Sequence, residues 1–402
     1  MTSLYAPPPQ RLLLQESINT TSPRRSDSQP RGNAVQTQAP LKGVKFKSTP
    51  KPSGLLANRS GVVTPSPAPP TVSGGEVHHV VFVKVHKAAS STVMSIFLRF
   101  ALSHKLNVML PRGGNILSNR SPMMGPIIEH PKSPPFHFDI LCNHVIFDKA
   151  QIQPYFPADT KYLAILREPW ELIQSAYHYF TEVEHIDYLK VVPSFEDYLR
   201  TPLRYEPRDM LQSFTMNRMS TDMGLPQSQM WNASYTETFI KHLDETFHLV
   251  LIAEHFDESM ILMKRLLRWQ LQDILYVKIN THQHVTTQKV GSDATLRARV
   301  EHLNHHDVAI YKHFLDVFRQ KVAAEGPSFQ EEVVVYTELL NQLTAFCADP
   351  KQDKRIFKAT KWNEQFEVKA SDCRLITMKE LPLVDLCAHE QRNRMGIVRG
   401  RG

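Results

Sequence analysis

Two segments of this chain each run from an apolar strand through a polar turn into a helix, and they constrain the fold more than any other feature. The first is VVFVKVHKAASST, residues 80–92, and the second is LAILREPWELIQSAY, residues 163–177. Backbone N–H groups in such turns and at helix starts bind anions. The two segments therefore predict one site for a ligand that carries two anionic groups.

Short apolar strands alternate with helical patterns along most of the chain. Strand patterns occupy Val80–Val83, 138–147, Tyr162–Leu166, His248–Ala253 and Ile274–Ile279. Apolar residues at helical spacing occupy 91–104, a segment opening at Pro169, 194–200, 207–218, 235–246, 255–268 and 293–323, the last as one long helix or a broken pair. This alternation predicts an α/β fold with a parallel sheet covered by helices on both faces.

Composition divides the chain into three parts. Residues 1–75 are rich in Pro, Ser, Thr, Arg and Gln without apolar periodicity, which predicts a disordered arm or stem. A folded domain is expected over 76–345, with a loop-like stretch at 105–135. Residues 346–402 are charged and weakly periodic, and we expect a peripheral extension with a frayed end.

The charge balance favours an anionic ligand but leaves a simple basic surface open. Lys and Arg number 47 against 40 Asp and Glu, a net charge of +7. No dense basic stripe interleaved with aromatic residues is present, so nucleic acid is disfavoured as a partner. No apolar run reaches the roughly 18 residues that span a bilayer, and the N-terminus does not resemble a signal peptide. A missing anchor and a truncated N-terminus both remain open.

Cysteines and glycosylation sequons give limited information about the compartment. Four cysteines allow three disulfide pairings, and no Cys-x-x-Cys pair occurs, so a structural zinc site is not expected. Sequons at Asn19, Asn58, Asn119 and Asn232 are weak support for a secretory setting.

Phosphate-binding residue types occur in both segments. No glycine lies between Gly75 and Gly113, so a Walker A loop is absent and a kinase is disfavoured. Lys87 follows a strand, and Ser90, Ser91 and Thr92 open the next helix, where they would hold a phosphate or merely cap the helix. In the second segment Arg167 and Ser175 would bind another phosphate. The alternative is that Arg167 pairs with Glu168 or Glu171.

Together the two segments resemble the sulfotransferases that use 3′-phosphoadenosine 5′-phosphosulfate (PAPS). The run from Val83 to Thr92 resembles the Lys-Thr-His-Lys-Thr-Ala/Gly-Ser-Ser-Thr motif of the galactose 3-O-sulfotransferases, which include galactosylceramide sulfotransferase. Further similar blocks are Leu110–Gly114, Asn143–Phe147 and Leu249–Ser259 continuing to Trp269. The resemblance covers roughly residues 78–325, with Val85 and Ala88 where the family has Thr. It implies the P-loop-like sheet of the PAPS-dependent sulfotransferase fold.

The resemblance also implies a reaction and a set of site residues. PAPS would be the co-substrate, and no metal is inherently required. Lys87 would stabilise charge on the leaving oxygen, and His144 would be the base, with His86 as its competitor. The donor would be held by Lys84, Lys87, Ala89, Ser90, Ser91 and Thr92 on the 5′ side and by Arg167 and Ser175 at the 3′-phosphate. Glu254 and His255 would line the sugar pocket.

The expected acceptor is the 3-hydroxyl of a terminal galactose on a glycolipid, such as galactosylceramide, or on a glycan. Another polysaccharide acceptor remains open, as does an inactive homologue that only binds a glycan or a nucleotide. The family implies a glycoprotein associated with the Golgi membrane on its lumenal face, although this sequence contains no visible anchor. The oligomeric state is not indicated.

Overall fold

A computed structural model describes residues 74–118, 127, 137–277, 294–349 and 353–396, and this part of the chain belongs to one compact unit. The predicted arm up to residue 73, the loop residues 119–126 and 128–136, residues 278–279 of the last predicted strand and the tail from 397 lie outside the described residues.

The described residues form a mixed α/β fold. Its strands are β1 (Val80–Val83), β2 (Ile140–Leu141), β3 (Lys161–Leu166), β4 (Leu249–Ile252), β5 (Lys354–Phe357) and β6 (Phe366–Lys369). Its α-helices are α1 (Ser90–His104), α2 (Lys149–Ile152), α3 (Pro169–Glu182), α4 (Asp187–Lys190), α5 (Phe195–Arg200), α6 (Pro202–Tyr205), α7 (Arg218–Asp222), α8 (Thr236–Thr246), α9 (Phe256–Leu267), α10 (Ala294–Leu303), α11 (His305–Ala324), α12 (Pro327–Ala348), α13 (Ala370–Ile376) and α14 (Glu380–Arg394). Short 3-10 turns occupy Gln153–Tyr155, Met210–Gln212, Gln227–Gln229, Ala233–Tyr235, Ala253–His255 and Leu271–Ile274.

A four-stranded parallel sheet in the order β2-β1-β3-β4 forms the centre of the fold. Every residue of β1 and β4 is buried, so both faces of the sheet are covered, as the sequence predicts. In the register of β1 and β3, Val83 lies opposite Ala164. The turns that follow these two strands therefore lie side by side at the carboxyl edge of the sheet.

Two predicted elements are wrong and one is shorter than expected. The strand over Ile274–Ile279 does not form in its described part, because side chains take its carbonyls: Tyr336 donates to Ile274 O at 2.6 Å and Arg99 donates to Leu275 O. The helix over 207–218 is absent because Ser213 Oγ accepts the N–H groups of residues 215 and 216, which favours a turn. The strand over 138–147 shortens to β2, since His144 pairs instead with residues 115–118.

Of the predicted segment 293–323, the described residues from 294 on form the broken pair, α10 and α11, that the sequence left open. No helix of the described residues is long and apolar enough to cross a membrane.

The C-terminal segment is not peripheral, contrary to its weak periodicity. Helix α14 packs against α1, and Leu383, Val384 and Cys387 are buried there. The Gln391 side chain bonds both the N–H and the carbonyl of Val108, at 2.7 and 3.0 Å. This packing brings the first residue of α14, Glu380, to the carboxyl edge of the sheet.

The four cysteines form one disulfide rather than any of the three complete pairings. Cys347 at the end of α12 is joined to Cys373 in α13 by a disulfide, while Cys142 and Cys387 are buried thiols. The bond therefore fixes the C-terminal segment to the helix that precedes it.

Candidate active site

The turn between β1 and α1, residues 84–89, is bent through two left-handed residues. Lys87 and Ala89 both have φ 58°, a conformation that costs a residue with a side chain about 1–2 kcal/mol. The Ser90 hydroxyl donates to Val85 O at 2.6 Å and closes the turn, rather than capping the helix. Because Ala89 supplies no side-chain cap, the first N–H groups of α1 face this turn without one. The arrangement suits an anion.

Lys84 forms the buried centre of the site. Its ammonium lies 2.9 Å from His144 Nε2, 3.3 Å from Ser91 Oγ and 3.3 Å from Glu380 Oε2. The Ser91 hydroxyl also donates to Glu380 Oε2, at 2.6 Å, and Asn115 donates to Glu380 Oε1. Burial lowers the pKa of Lys84, and the neighbouring Glu380 opposes that shift. All three ammonium protons thus have acceptors within the protein.

Both ring nitrogens of His144 are hydrogen-bonded to Lys84. Its Nδ1 lies 3.1 Å from the Lys84 carbonyl, which only accepts, so Nδ1 carries the proton. Nε2 is then the acceptor for the Lys84 ammonium. Burial, followed by repulsion of a second positive charge beside His86 and the Lys84 ammonium, lowers the pKa of His144 well below its usual range. The residue preferred from the sequence as base is therefore neutral but has no free nitrogen.

His86 is held differently, with one nitrogen left available. Its Nδ1 donates to Asp222 Oδ2 at 2.8 Å, and its backbone N–H reaches the same oxygen at 2.8 Å. No described residue bonds Nε2, although the ring stacks on His144 with centroids 4.0 Å apart. Burial lowers the pKa of His86, so the ring is neutral and Nε2 carries a lone pair. A carboxylate that orients a neutral imidazole is the arrangement of a general base.

Asp222 is itself fixed by a buried arginine. Arg218, which is 0% exposed, donates to Asp222 Oδ1 through Nε at 3.0 Å and through a second guanidinium nitrogen. Burial opposes ionisation of Asp222, but Arg218 and His86 outweigh it and hold the pKa of that carboxyl well below its usual range. Asp222 therefore stays charged and keeps His86 in one tautomer.

The two predicted binding segments meet at Arg167. Its guanidinium donates to the Lys87 carbonyl at 3.1 Å and lies 3.5 Å from Glu171. The Lys87 ammonium lies 3.5 Å from the centre of the Tyr179 ring on α3. Burial, followed by repulsion from Arg167 and Lys84, lowers the pKa of Lys87 to about 8. The turn after β1 and the helix after β3 thus form one positively charged surface.

The remaining predicted residues have less distinctive surroundings. Thr92 bonds back to Ala89 O through its N–H at 3.1 Å, and Ser175 is half-buried on the second turn of α3. Glu254 accepts from the Glu168 N–H at 2.9 Å, and His255 bonds Glu258 at 2.7 Å. No described contact connects Glu254 or His255 to the two histidines, so their assignment to a sugar pocket stays a prediction.

Sequence reasoning missed three residues of this site: Arg218, Asp222 and Glu380. The first two are four apart, a spacing at which opposite charges pair on a helix, so this pair could have been noticed. Nothing local marks Glu380, which meets Ser91 across 289 residues of sequence.

The assembled groups are suited to group transfer from an anionic donor. His86 Nε2 can take a proton, Lys87 can neutralise charge on a leaving oxygen, and Arg167 with the start of α1 can bind anionic groups. Among the described residues, all of these groups lie at the carboxyl edge of the sheet.

Comparison with known proteins identifies relatives of this chain. Galactose-3-O-sulfotransferase 2 of Mus musculus is 31% identical over 296 residues, which is 72% of this chain and 74% of that protein. Galactosylceramide sulfotransferase of Homo sapiens is 30% identical over 274 residues, 67% of this chain and 64% of that protein. Galactose-3-O-sulfotransferase 3 of Mus musculus is 35% identical over 253 residues, 61% of this chain and 58% of that protein.

The family model described as Galactose-3-O-sulfotransferase matches residues 49–364. That range includes β1 to α12 and every site residue named above except Glu380. On this match, the chain belongs to the galactose-3-O-sulfotransferase family.

Proposed function

We propose that this protein transfers the sulfuryl group of PAPS to the 3-hydroxyl of a terminal galactose on a glycolipid or glycan. The observation that carries the proposal is the hydrogen bond between Arg167 and the Lys87 carbonyl, 3.1 Å long. Through this bond Arg167, proposed for the 3′-phosphate, lies next to the turn that carries Lys87, proposed for the 5′ side. The family membership and the relatives' names supply the sulfuryl donor and the galactose acceptor.

In the proposed reaction the galactose oxygen forms a bond to sulfur while the bond from sulfur to the bridging oxygen breaks. His86 Nε2 accepts the hydroxyl proton, and the Lys87 ammonium stabilises the negative charge that develops on the leaving phosphate. Asp222 keeps His86 in the required tautomer, much as a triad carboxylate does. His144 acts through Lys84 instead, so we assign it a positioning role and reverse the preference drawn from the sequence.

Donor binding is proposed to use both segments. Arg167 and Ser175 would bind the 3′-phosphate, since a guanidinium offers paired donors to phosphate. Lys84, Ala89, Ser90, Ser91 and Thr92, together with the N–H groups at the start of α1, would bind the 5′ side. The turn would then bind phosphate in the manner of a P-loop, although it contains no glycine. The Glu380 carboxylate lies against Lys84 and Ser91, and we propose that it gives way when the donor binds.

The proposed compartment is the lumen of the Golgi apparatus. The disulfide between Cys347 and Cys373 supports an oxidising environment, in which such bonds persist.

A transfer assay with radiolabelled PAPS tests the function. The purified chain is incubated with galactosylceramide and with a galactose-terminated oligosaccharide. Glucosylceramide, which carries glucose in place of galactose, is the matched control acceptor. We expect label on the two galactose acceptors and none on the glucose one. Binding of the nucleotide without product on any acceptor would contradict an enzymatic role.

Two histidine variants test the base. His86→Asn keeps a donor for Asp222 but removes the free nitrogen, so transfer should fall by at least about 100-fold while nucleotide binding persists. His144→Gln should keep an acceptor for Lys84 and lose less activity, and the partly exposed His313→Asn is the control. Greater loss in His144→Gln than in His86→Asn would return the base role to His144.

A further inference from the structure

Two histidines and an aspartate meet at the amino edge of the sheet, at the opposite end of β1 from the candidate active site. His79 immediately precedes β1 and Asp139 immediately precedes β2, and Val80 and Ile140 are paired in register. The Val80 N–H also donates to Asp139 O at 2.8 Å. The sheet itself therefore sets His79 beside Asp139, and His137 adjoins them two residues earlier.

Their ligand atoms surround one point. Asp139 Oδ1 lies 3.2 Å from His137 Nε2 and 3.7 Å from His79 Nε2. The two imidazole rings are perpendicular, with centroids 5.3 Å apart. Ligand atoms around a tetrahedral Zn²⁺ with bonds near 2.0–2.1 Å are about 3.3 Å apart. The measured separations lie on either side of that value.

The groups behind the ligands orient them for a cation. His79 Nδ1 donates to Asp159 Oδ1 at 2.8 Å, which leaves Nε2 with its lone pair directed toward Asp139. The second oxygen of Asp139 accepts the Asn107 N–H at 2.6 Å. A carboxylate behind a histidine and a hydrogen bond behind a carboxylate are the supports that metal ligands typically have. A cation between this lone pair and the Asp139 oxygen would remove their repulsion.

A cavity adjoins one member of the cluster, His79. This cavity, of about 270 Å³, is lined by His79 and Asp159 but by neither His137 nor Asp139. Asp139 itself is only 6% exposed. A bound ion would have three ligands from the protein, and a tetrahedral ion takes a fourth, such as water.

We propose that His79, His137 and Asp139 bind one Zn²⁺ ion, with Asp159 as the residue that positions His79. The ion joins the amino ends of β1 and β2, far along the strand from the reacting groups, and it stabilises the sheet. The absence of Cys-x-x-Cys pairs disfavours a cysteine-ligated zinc site, whereas this set uses nitrogen and oxygen ligands.

A neighbouring cluster of a glutamate and two histidines is the alternative site for the ion. Glu76 Oε2 lies 3.0 Å from His78 Nε2 and 3.1 Å from His104 Nε2. His104 Nδ1 bonds the Phe100 carbonyl at 3.0 Å, but no carboxylate is bonded behind either ring among the described contacts. The Glu76 side chain is also more exposed than that of Asp139, at 28% against 9%. We therefore assign the ion to the first cluster, and the experiment separates the two.

The test is a calorimetric titration of the full-length chain, stripped with EDTA, with ZnCl₂. We expect one equivalent to bind, a higher thermal midpoint with zinc than without it, and visible absorption bands of a tetrahedral site when Co²⁺ replaces zinc. Asp159→Asn should weaken binding by about 10–100-fold, His137→Ala should remove it, and the partly exposed His313→Ala should leave it unchanged. Circular dichroism checks that each metal-free variant is folded.

Three outcomes would overturn the proposal. They are a native chain that binds no zinc saturably, a folded His137→Ala variant with native affinity, or loss of binding in His104→Gln with retention in His137→Ala. The last result would assign the ion to the cluster around Glu76.

Discussion

Replacement of Asp222 by asparagine should destabilise the fold strongly, because Asp222 is the only carboxylate among the described contacts of the buried Arg218. The guanidinium of Arg218 is 0% exposed, and its other acceptors are the carbonyls of Leu211 and Ser213 at 3.3 and 3.1 Å. Removing one partner of a buried ion pair costs about 3–5 kcal/mol. The asparagine oxygen can still accept one hydrogen bond, so we expect a loss near the lower end, about 3 kcal/mol.

The matched control is Glu196→Gln, which breaks another pair of charges four residues apart, with Arg200. That pair is exposed, with side chains 49% and 59% accessible, and such pairs contribute about 0.3–0.5 kcal/mol. Urea unfolding of both variants and the native chain at neutral pH gives the two losses. Equal losses for Asp222→Asn and Glu196→Gln would refute the reasoning.

The pH dependence of the Asp222→Asn effect gives a second check. Since the pKa of Asp222 is depressed in the folded chain, its stabilisation is complete above the ordinary value for aspartate, about 3.9, and is lost as the pH falls toward the folded value. The difference in stability between the native chain and Asp222→Asn should therefore shrink only below about pH 4.

Three further predictions concern the charges of the site. Because the pKa values of His86 and His144 are lowered, the unfolded chain binds protons that the folded chain does not. The free energy of unfolding should therefore fall below about pH 6.5, by up to about 1.4 kcal/mol per pH unit for each histidine. Unfolding curves that show no loss toward pH 5 would contradict this. Sulfotransferase activity should decline as the pH rises through about 8, where Lys87 loses its proton. This alkaline decline should be absent from the pH profile of Lys87→Arg. If the decline persists in that variant, another group causes it. Glu380→Gln removes a negative charge beside Ser91 and should lower the dissociation constant of 3′-phosphoadenosine 5′-phosphate about 10-fold by calorimetry; weaker binding would mean that Glu380 is needed to hold Lys84.

The sheet and the two strand-turn-helix segments could be predicted because their signals are local. An apolar run such as Val80–Val83 followed by a polar turn and a helical pattern is complete within about fifteen residues. The register of β1 and β3 then follows from parallel pairing, and it brings Lys87 to Arg167. The strand over Ile274–Ile279 failed because an apolar run does not reveal that distant side chains will take its carbonyls.

The completed site could not be predicted because its decisive contacts are distant in sequence. His86 meets Asp222 across 136 residues, and Ser91 meets Glu380 across 289. Their proximity depends on tertiary packing, such as the contact of α14 with α1. The choice between His86 and His144 likewise depends on which ring nitrogen is already bonded, and only the assembled structure defines that.

The central claim is that the Lys87 turn and the start of α3 bind opposite ends of one adenosine bisphosphate. Calorimetry with Arg167→Ala tests it most directly, using 3′-phosphoadenosine 5′-phosphate and, as the matched ligand without a 3′-phosphate, adenosine 5′-phosphosulfate. We predict that the variant binds the first about 10–100-fold more weakly and the second with native affinity, while the exposed Arg319→Ala changes neither. Equal weakening for both nucleotides, or for neither, would contradict the account.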